Sequence, residues 1–257
     1  MSESLLTALK QHIASIEGHA CVRADRIFTL GASAVDARLG GGLAQGRLHE
    51  VFASEPGDGA SAAGFAMMLA LRAAGGAMPI LWLRQREAEA TTGRIHALGL
   101  AEMGLDPARF ILGIAGDAAL LLKAAGDSLR CAGLGAVVIE PWRAGRAVDL
   151  TISRRLALAA EQSGVTALLL RTDAAPSPSA AQTRWEVRAA ESGVFPANAP
   201  GMPAIDIILL RHRGGPDGLA WRLEWDRDQC SFREAPLSGA VLPLPASRSA
   251  EAGRHAA

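Results

Sequence analysis

Short apolar strands alternate with longer helical segments between Arg47 and Asp173, and no other feature limits the fold of this sequence as strongly. Four strands are predicted from continuous apolar runs and a fifth from a weaker run, at 48–53, 79–83, 135–140, 165–170 and 109–115. Helices are predicted between them at 60–74, 88–98, 117–131 and 149–163. Strands joined through helices pair in parallel and are covered on both faces. The sequence therefore predicts an α/β fold with a mostly parallel β-sheet flanked by helices.

The pattern changes after this region. A segment rich in proline, serine and alanine spans 173–182, and three further strands are predicted without intervening helices, at 183–190, 204–213 and 219–226. Strands that follow one another through short turns can pair antiparallel. We therefore expect these C-terminal strands to extend the sheet as antiparallel edge strands.

The two ends of the chain differ from this core and divide the sequence into three parts. Residues 1–24 are predicted to form an amphipathic helix and a linker, because apolar residues recur at helical spacing at Leu5, Leu6, Leu9, Ile13 and Ile16. Such a helix is expected to dock on its own core, and a partner is the alternative. Residues 25–235 form the predicted core domain, in which Ser33 suits a helix N-cap. Residues 236–257 hold several prolines and little to bury, which predicts a disordered tail.

Composition excludes several classes of protein. Lysine plus arginine and aspartate plus glutamate each number 26, so the net charge is zero and any DNA contact would have to be local. No apolar run reaches the roughly 20 residues of a membrane helix, and no signal-peptide pattern begins the chain, so a cytoplasmic protein without a membrane partner is expected. The three cysteines and six histidines lack metal-ligand spacing, which predicts no metal site.

The stretch 36–61 leads into a phosphate-binding loop but lacks the residues that grip phosphate. A working loop needs a lysine for the phosphates and a serine or threonine for magnesium. Here the lysine position falls at Gly59 or Ala60, and Asp58 would repel a triphosphate. Ser61 could bind magnesium, although a helix N-cap is the preferred interpretation. The degenerate loop comprises Ser54, Glu55, Pro56, Gly57, Asp58, Gly59, Ala60 and Ser61.

The other catalytic positions also depart from an ATPase pattern. Glu140 ends an apolar strand where a carboxylate could orient magnesium or water, but a rim carboxylate bonded to a neighbouring loop is the preferred interpretation. The strand at 79–83 runs into Arg84 and Gln85, which cannot act as a general base. The sequence therefore predicts no catalytic residue, no bound cofactor and no enzyme activity.

These residues carry a resemblance to a known family. The run LGGGLAQGRLHEVF resembles the lead-in to the phosphate loop of RecA-type recombinases, and GAVVIE at 135–140 resembles their Walker B strand. Over about residues 25–235 the chain is most similar to the ImuA family, the RecA-like and SulA-like accessory proteins of a bacterial DNA-damage mutagenesis cassette. The resemblance implies a RecA-like core with a degenerate Walker A loop.

The same resemblance implies a function and its partners. ImuA-type proteins act in SOS-induced, error-prone translesion DNA synthesis with an ImuB-type homologue of the Y-family polymerases, which is inactive and binds the sliding clamp, and with a second DnaE-type polymerase. RecA and single-stranded DNA are further candidate partners. Two alternatives stay open: a SulA-like cell-division inhibitor, and an atypical ATPase that takes Arg84 or Arg86 from a neighbouring subunit.

Candidate contact residues follow from these expectations. The aromatic and basic residues after the Walker-B-like strand are candidates for DNA contact: Trp142, Arg143, Arg146, Arg154 and Arg155. Apolar residues spaced by prolines in the tail are candidates for partner binding: Leu237, Val241, Leu242 and Leu244.

Overall fold

A computed structural model describes residues 26–143, 147–195 and 199–235 of the 257-residue chain. The described strands, in chain order, are β1 (Ile27–Phe28), β2 (Leu43–Ala44), β3 (Leu48–Ala53), β4 (Ile80–Gln85), β5 (Phe110–Ala115), β6 (Ala136–Glu140), β7 (Thr166–Arg171), β8 (Thr183–Ala190), β9 (Val194–Phe195), β10 (Ala199–Pro200), β11 (Ala204–His212), β12 (Leu219–Asp226) and β13 (Ser231–Glu234). The described α-helices are α1 (Ser33–Arg38), α2 (Gly59–Ala74), α3 (Arg86–Thr92), α4 (Ala97–Glu102), α5 (Ala118–Ser128) and α6 (Leu150–Ser163).

Nine of these strands form one sheet in the order β13-β12-β11-β8-β3-β7-β6-β4-β5. The strands from β5 across to β8 are parallel, whereas β11, β12 and β13 are antiparallel to their neighbours. The remaining short strands pair as β1 with β2 and β9 with β10. The predicted α/β fold with a mostly parallel sheet and antiparallel edge strands is confirmed.

Several predicted strands agree with the structure residue for residue, namely 48–53, 183–190 and 219–226. One pairing differs from the expectation, because β8 lies parallel to β3 and only the later strands run antiparallel. One helix also differs: the segment predicted at 88–98 is split into α3 and α4 at Gly93, whose φ of 88° ends the first helix.

Helices cover the two faces of the sheet with separate apolar clusters. On one face α2 packs on the sheet, and the ring of Phe65 lies 5.8 Å from that of Trp185 and 5.5 Å from that of Phe232, centroid to centroid. On the other face α5 and α6 bury Leu121 and Leu156 against the parallel strands. This arrangement sets the carboxyl ends of the parallel strands along one rim, where ligands bind in open α/β sheets.

The glycine-rich lead-in and α1 have structural roles. Gly42 has a φ of 144°, and a Cβ atom there would lie 2.4 Å from the carbonyl oxygen of Phe28, so only glycine allows β2 to approach β1 this closely. The prediction that Ser33 caps α1 is wrong, because Ala32 is at the N-cap and the Ser33 hydroxyl donates to Glu234 at 3.3 Å. Instead the Asp36 carboxylate accepts backbone N–H groups just before the helix.

Within the part of the chain that the structure describes, no helix combines the length and apolar character needed to cross a bilayer.

Candidate functional site

The loop after β3 does not form a backbone cradle for phosphate. Its first half folds into a short 3-10 helix, Pro56–Asp58, which runs directly into α2. Gly59 is the first residue of α2, with φ −54° and ψ −40°, and Gly57 is not among the glycines with positive φ. A backbone anion site of the nest type needs successive N–H groups in alternating right- and left-handed conformations. The glycines in this loop adopt no left-handed conformation that would provide one.

Asp58 has a structural role in this loop. Its side chain is buried, one carboxylate oxygen accepts the backbone N–H of Ala189 at 2.8 Å, and the other accepts that of Glu55 at 3.2 Å. The Ser54 hydroxyl donates to Glu186 at 3.1 Å and accepts from Arg188 at 3.2 Å. The side chains of Ser54 and Asp58 are therefore bonded to β8 and to the loop itself.

Ser61 lies inside α2 rather than at its start. The helix begins at Gly59 and Asp58 is in the N-cap position, so the preferred interpretation of Ser61 as an N-cap is wrong. The physical reason is the preceding 3-10 turn, which runs directly into the helix at Gly59, so that Ser61 already has helical backbone and cannot be an N-cap. Ala60 and Ser61 both lie in the first turn of α2.

Glu140, the last residue of β6, is buried with both carboxylate oxygens engaged. Arg84 lies opposite it in the β4–β6 register, with Nε 2.7 Å from Oε2 and Nη2 3.1 Å from Oε1. The indole N–H of Trp82 also donates to Oε2 at 2.7 Å. The charge-assisted bond from Nη2 and the ion pair through Nε are strong contacts for a buried carboxylate. A magnesium ion could reach Glu140 only by displacing these donors.

The guanidinium of Arg84 is held by the end of α3 as well. Its Nη1 donates to the carbonyl of Gly93 at 2.8 Å and its Nη2 to the hydroxyl of Thr92 at 2.6 Å. The residue is only 3% exposed. Arg84 is therefore buried within its own chain and not available at the surface, whereas Arg86 is exposed at the start of α3.

Of the DNA-contact candidates that the structure describes, Trp142 and Arg143 lie just after β6, and Arg154 and Arg155 lie on α6. The backbone N–H of Trp142 donates to the Gln85 side chain at 2.9 Å, and Arg143 lies over the Trp142 ring at 5.7 Å from its centroid. Arg143 has a φ of 46° and pairs with Asp173 at 3.0 Å. Arg154 and Arg155 are exposed on α6.

The remaining candidates cannot be placed. Arg146 lies outside the described residues, and so do the four partner-binding candidates of the tail, Leu237, Val241, Leu242 and Leu244. Their proposed contacts stay predictions.

A buried charged cluster was missed from the sequence. Glu50, in the middle of β3, pairs with Arg184 of β8 at 3.0 Å. Arg171 ends β7, the neighbour of β3 on its other side. Both arginines donate to Ser177, one to its hydroxyl and the other to its carbonyl. Burial raises the pKa of Glu50 and lowers that of Arg171. The cluster fastens the 173–182 segment over the sheet, and single charged residues inside apolar strands were the signal that could have revealed it.

His49 forms a second buried polar group. Its Nε2 lies 3.0 Å from the carbonyl oxygen of Ala44, which can only accept, so Nε2 carries the proton. Its Nδ1 then accepts from the hydroxyl of Thr183 at 2.8 Å, and that hydroxyl accepts from the indole of Trp185 at 2.8 Å. Burial lowers the pKa of His49 to about 4. The chain of bonds fixes a neutral imidazole in the core.

Among the residues that the structure describes, no three or more His, Cys, Asp or Glu side chains are grouped closely enough to hold a metal ion.

Comparison with solved structures identifies the fold class, whereas comparison by sequence finds no relative. The chain matches no known sequence family and no curated protein by sequence. Its structure has the α/β architecture of the RecA-like recombinases. One similar solved structure is a crystal structure of the RadB recombinase, with a TM-score of 0.56, 17% identity, and coverage of 82% of this chain and 100% of RadB. At this identity the likeness establishes the fold alone.

Proposed function

We propose that this chain is a RecA-like adaptor without ATPase activity that acts in error-prone translesion DNA synthesis. It binds an ImuB-type inactive relative of the Y-family polymerases and through it supports a second DnaE-type polymerase at the sliding clamp. The fold class is that of recombinases, and the pathway and partners rest on the resemblance in the lead-in to the loop and the closing strands.

The Arg84–Glu140 pair is the main observation that supports the proposed lack of ATPase activity. Glu140 ends the strand that would supply the magnesium-orienting carboxylate, and Arg84 is the next-to-last residue of β4, the strand that would precede the general base. A guanidinium cannot accept a proton from water. The pair therefore puts a fixed positive charge at the base position and takes up the carboxylate that would serve the metal.

The loop supports the same conclusion independently. Two backbone N–H groups beside the loop, those of Glu55 and Ala189, donate to Asp58 and are not free to bind an anion. The chain supplies no lysine there, since Gly59 and Ala60 occupy the expected position. A triphosphate would meet a buried carboxylate instead of a charge-compensating lysine.

The adaptor role is tested by measuring binding of the full chain to a purified ImuB-type protein by calorimetry. We expect replacement of Leu237, Val241, Leu242 and Leu244 by serine to weaken this binding while the circular dichroism spectrum stays unchanged. The matched control replaces Ser238, Ser247 and Ser249 in the same tail by alanine and should bind normally. Full affinity in the leucine variant would remove the tail from the proposal.

The same binding assay distinguishes the SulA-like alternative from the adaptor. The full chain is titrated against the tubulin-like division protein as well as the ImuB-type protein. Binding only to the division protein would replace the adaptor proposal, and binding only to the ImuB-type protein supports it.

A further inference from the structure

An open groove separates α5 from α6 on the helix-covered face of the sheet. It encloses about 730 Å³, and its apolar lining includes Leu122, Ile152 and Leu156. Leu158 also lines it and is 56% exposed. Leu122 and Leu156 form the buried floor of the groove, whereas Ile152 is half-buried and Leu158 is open to solvent.

The N-terminal segment, residues 1–25, joins the described chain near one end of that groove. The described chain begins at Arg26, whose carbonyl accepts the N–H of Gln45 at 2.6 Å. The next residue, Gly46, is so close to the end of α6 that a Cβ atom there would lie 3.0 Å from the Cα of Gly164. Gln162, in the last turn of α6, lines the same groove. The described chain therefore begins near the end of α6, the helix that forms one wall of the groove.

The C-terminal segment starts much farther away. It follows β13, which is separated from β3 by β8, β11 and β12. Four steps between strands correspond to roughly 19 Å across the sheet. Position therefore favours the N-terminal segment as the occupant.

The length and pattern of the N-terminal segment match the groove. A helix from Leu5 to Ile16 would be about 18 Å long and α6 is about 21 Å long, at 1.5 Å per residue. Residues 17–25 can span up to roughly 30 Å when extended, so the helix can lie antiparallel to α6. Its apolar stripe would cover the exposed leucine.

Charge is also complementary. The groove rim carries Lys123 and Arg155, and its acid Asp127 is paired with Arg130 at 3.2 Å. The segment has Glu3 and Glu17 at the two ends of its apolar repeat. In a docked helix these two acids would lie near the basic rim, with Lys10 between them, and exposed pairs of this kind contribute little by themselves.

We propose that residues 5–16 of this chain form a helix that packs into the groove between α5 and α6 of the same molecule. The groove is then an internal docking site for the N-terminal segment rather than a free surface. This inference does not depend on the adaptor function proposed above.

The test measures how fast a thiol in the groove reacts with a maleimide. Leu158→Cys is introduced into the full chain, where the exposed position tolerates the change, and peptide mapping separates it from the three native cysteines. A second change, Leu9→Glu with Ile13→Glu, disrupts the apolar stripe. We expect labelling at position 158 to become about tenfold faster when the stripe is disrupted, because docking no longer shields the thiol.

Two matched controls accompany this comparison. Thr7→Glu with Gln11→Glu adds the same charge to the opposite face of the predicted helix and should leave labelling slow. A thiol placed at Thr151, exposed on α6 outside the groove, should label at one rate in every background. Equal labelling at position 158 with intact and disrupted stripes would overturn the proposal. Light scattering that shows a dimer, converted to a monomer by the stripe variant, would also overturn it, because the segment would then occupy a second copy.

Discussion

The carboxylate of Asp58 accepts the backbone N–H of Ala189 at 2.8 Å and so ties the loop after β3 to the end of β8, 131 residues later in the chain. The same side chain accepts the N–H of Glu55. The sequence suggested that Asp58 would repel phosphate. In the structure its carboxylate instead accepts two backbone N–H groups. The loop is thereby closed on itself and on the neighbouring strand.

Asp58 should consequently contribute to stability. We expect Asp58→Ala to lower the free energy of unfolding by about 1–3 kcal/mol, because backbone N–H groups lose a largely buried acceptor. Urea denaturation followed by circular dichroism measures this. Asp58→Asn, which keeps one carbonyl acceptor, should lose less, and an alanine variant as stable as the wild type would show that the two bonds have no net effect.

The Arg84–Glu140 pair should show strong coupling. Arg84→Met or Glu140→Leu alone leaves a buried charge without its partner, and we expect each to cost about 3–5 kcal/mol of unfolding free energy. The double variant should recover a large part of that loss, because no buried charge is left. A double-mutant cycle in guanidinium chloride measures the coupling; additive losses would contradict a buried pair.

His49 should make the protein less stable in mild acid. Its folded pKa is lowered to about 4 from 6.5 by burial, so the unfolded state binds the proton more tightly. Its contribution to stability is complete above about pH 6.5 and is lost as the pH falls towards 4, a change of roughly 3 kcal/mol.

The comparison for this prediction is His49→Gln, which keeps a donor for the Ala44 carbonyl and does not titrate. Glu50 has a raised pKa and acts in the opposite direction, but it is present in both proteins and cancels in the difference. Urea unfolding between pH 4 and 7 should show a flatter profile for the variant. Parallel profiles would mean that His49 is not buried in the neutral form.

Contact with single-stranded DNA, if the adaptor makes it, should involve the rim at the end of β6. We expect Trp142→Ala to weaken binding of a fluorescent oligonucleotide by about 1–3 kcal/mol, the value of one stacked base. Arg143→Ala should lower the slope of log affinity against log salt by about one. Arg130→Ala, on the exposed end of α5, is the control, and equal affinity in all three variants would exclude this rim.

The sequence predicted the strands well because their signals are local. Apolar runs bounded by polar or glycine residues located 48–53, 183–190 and 219–226 without error. Helix starts were less accurate at Ser33 and Ser61, since a capping side chain is decided by neighbours that are distant in sequence. The preference of serine for the N-cap position is local, and tertiary contacts override it.

The partners within the site could not be predicted, because strand order is not a local property. Arg84 was recognised as a departure from an ATPase and Glu140 as a Walker-B-like carboxylate, but their pairing requires β4 to lie next to β6. The same reason hid the Glu50–Arg184 pair, whose strands are separated by more than a hundred residues. Each charge was visible in its strand, and only the sheet order brings them together.

The most direct measurement is a titration of the purified full chain with a fluorescent ATP analogue and magnesium, with and without single-stranded DNA. We expect no binding up to millimolar nucleotide, because the loop offers no phosphate lysine and Glu140 is held by Arg84. Binding at micromolar nucleotide or tighter would contradict a silent site and direct attention to Arg86, the exposed arginine at the start of α3.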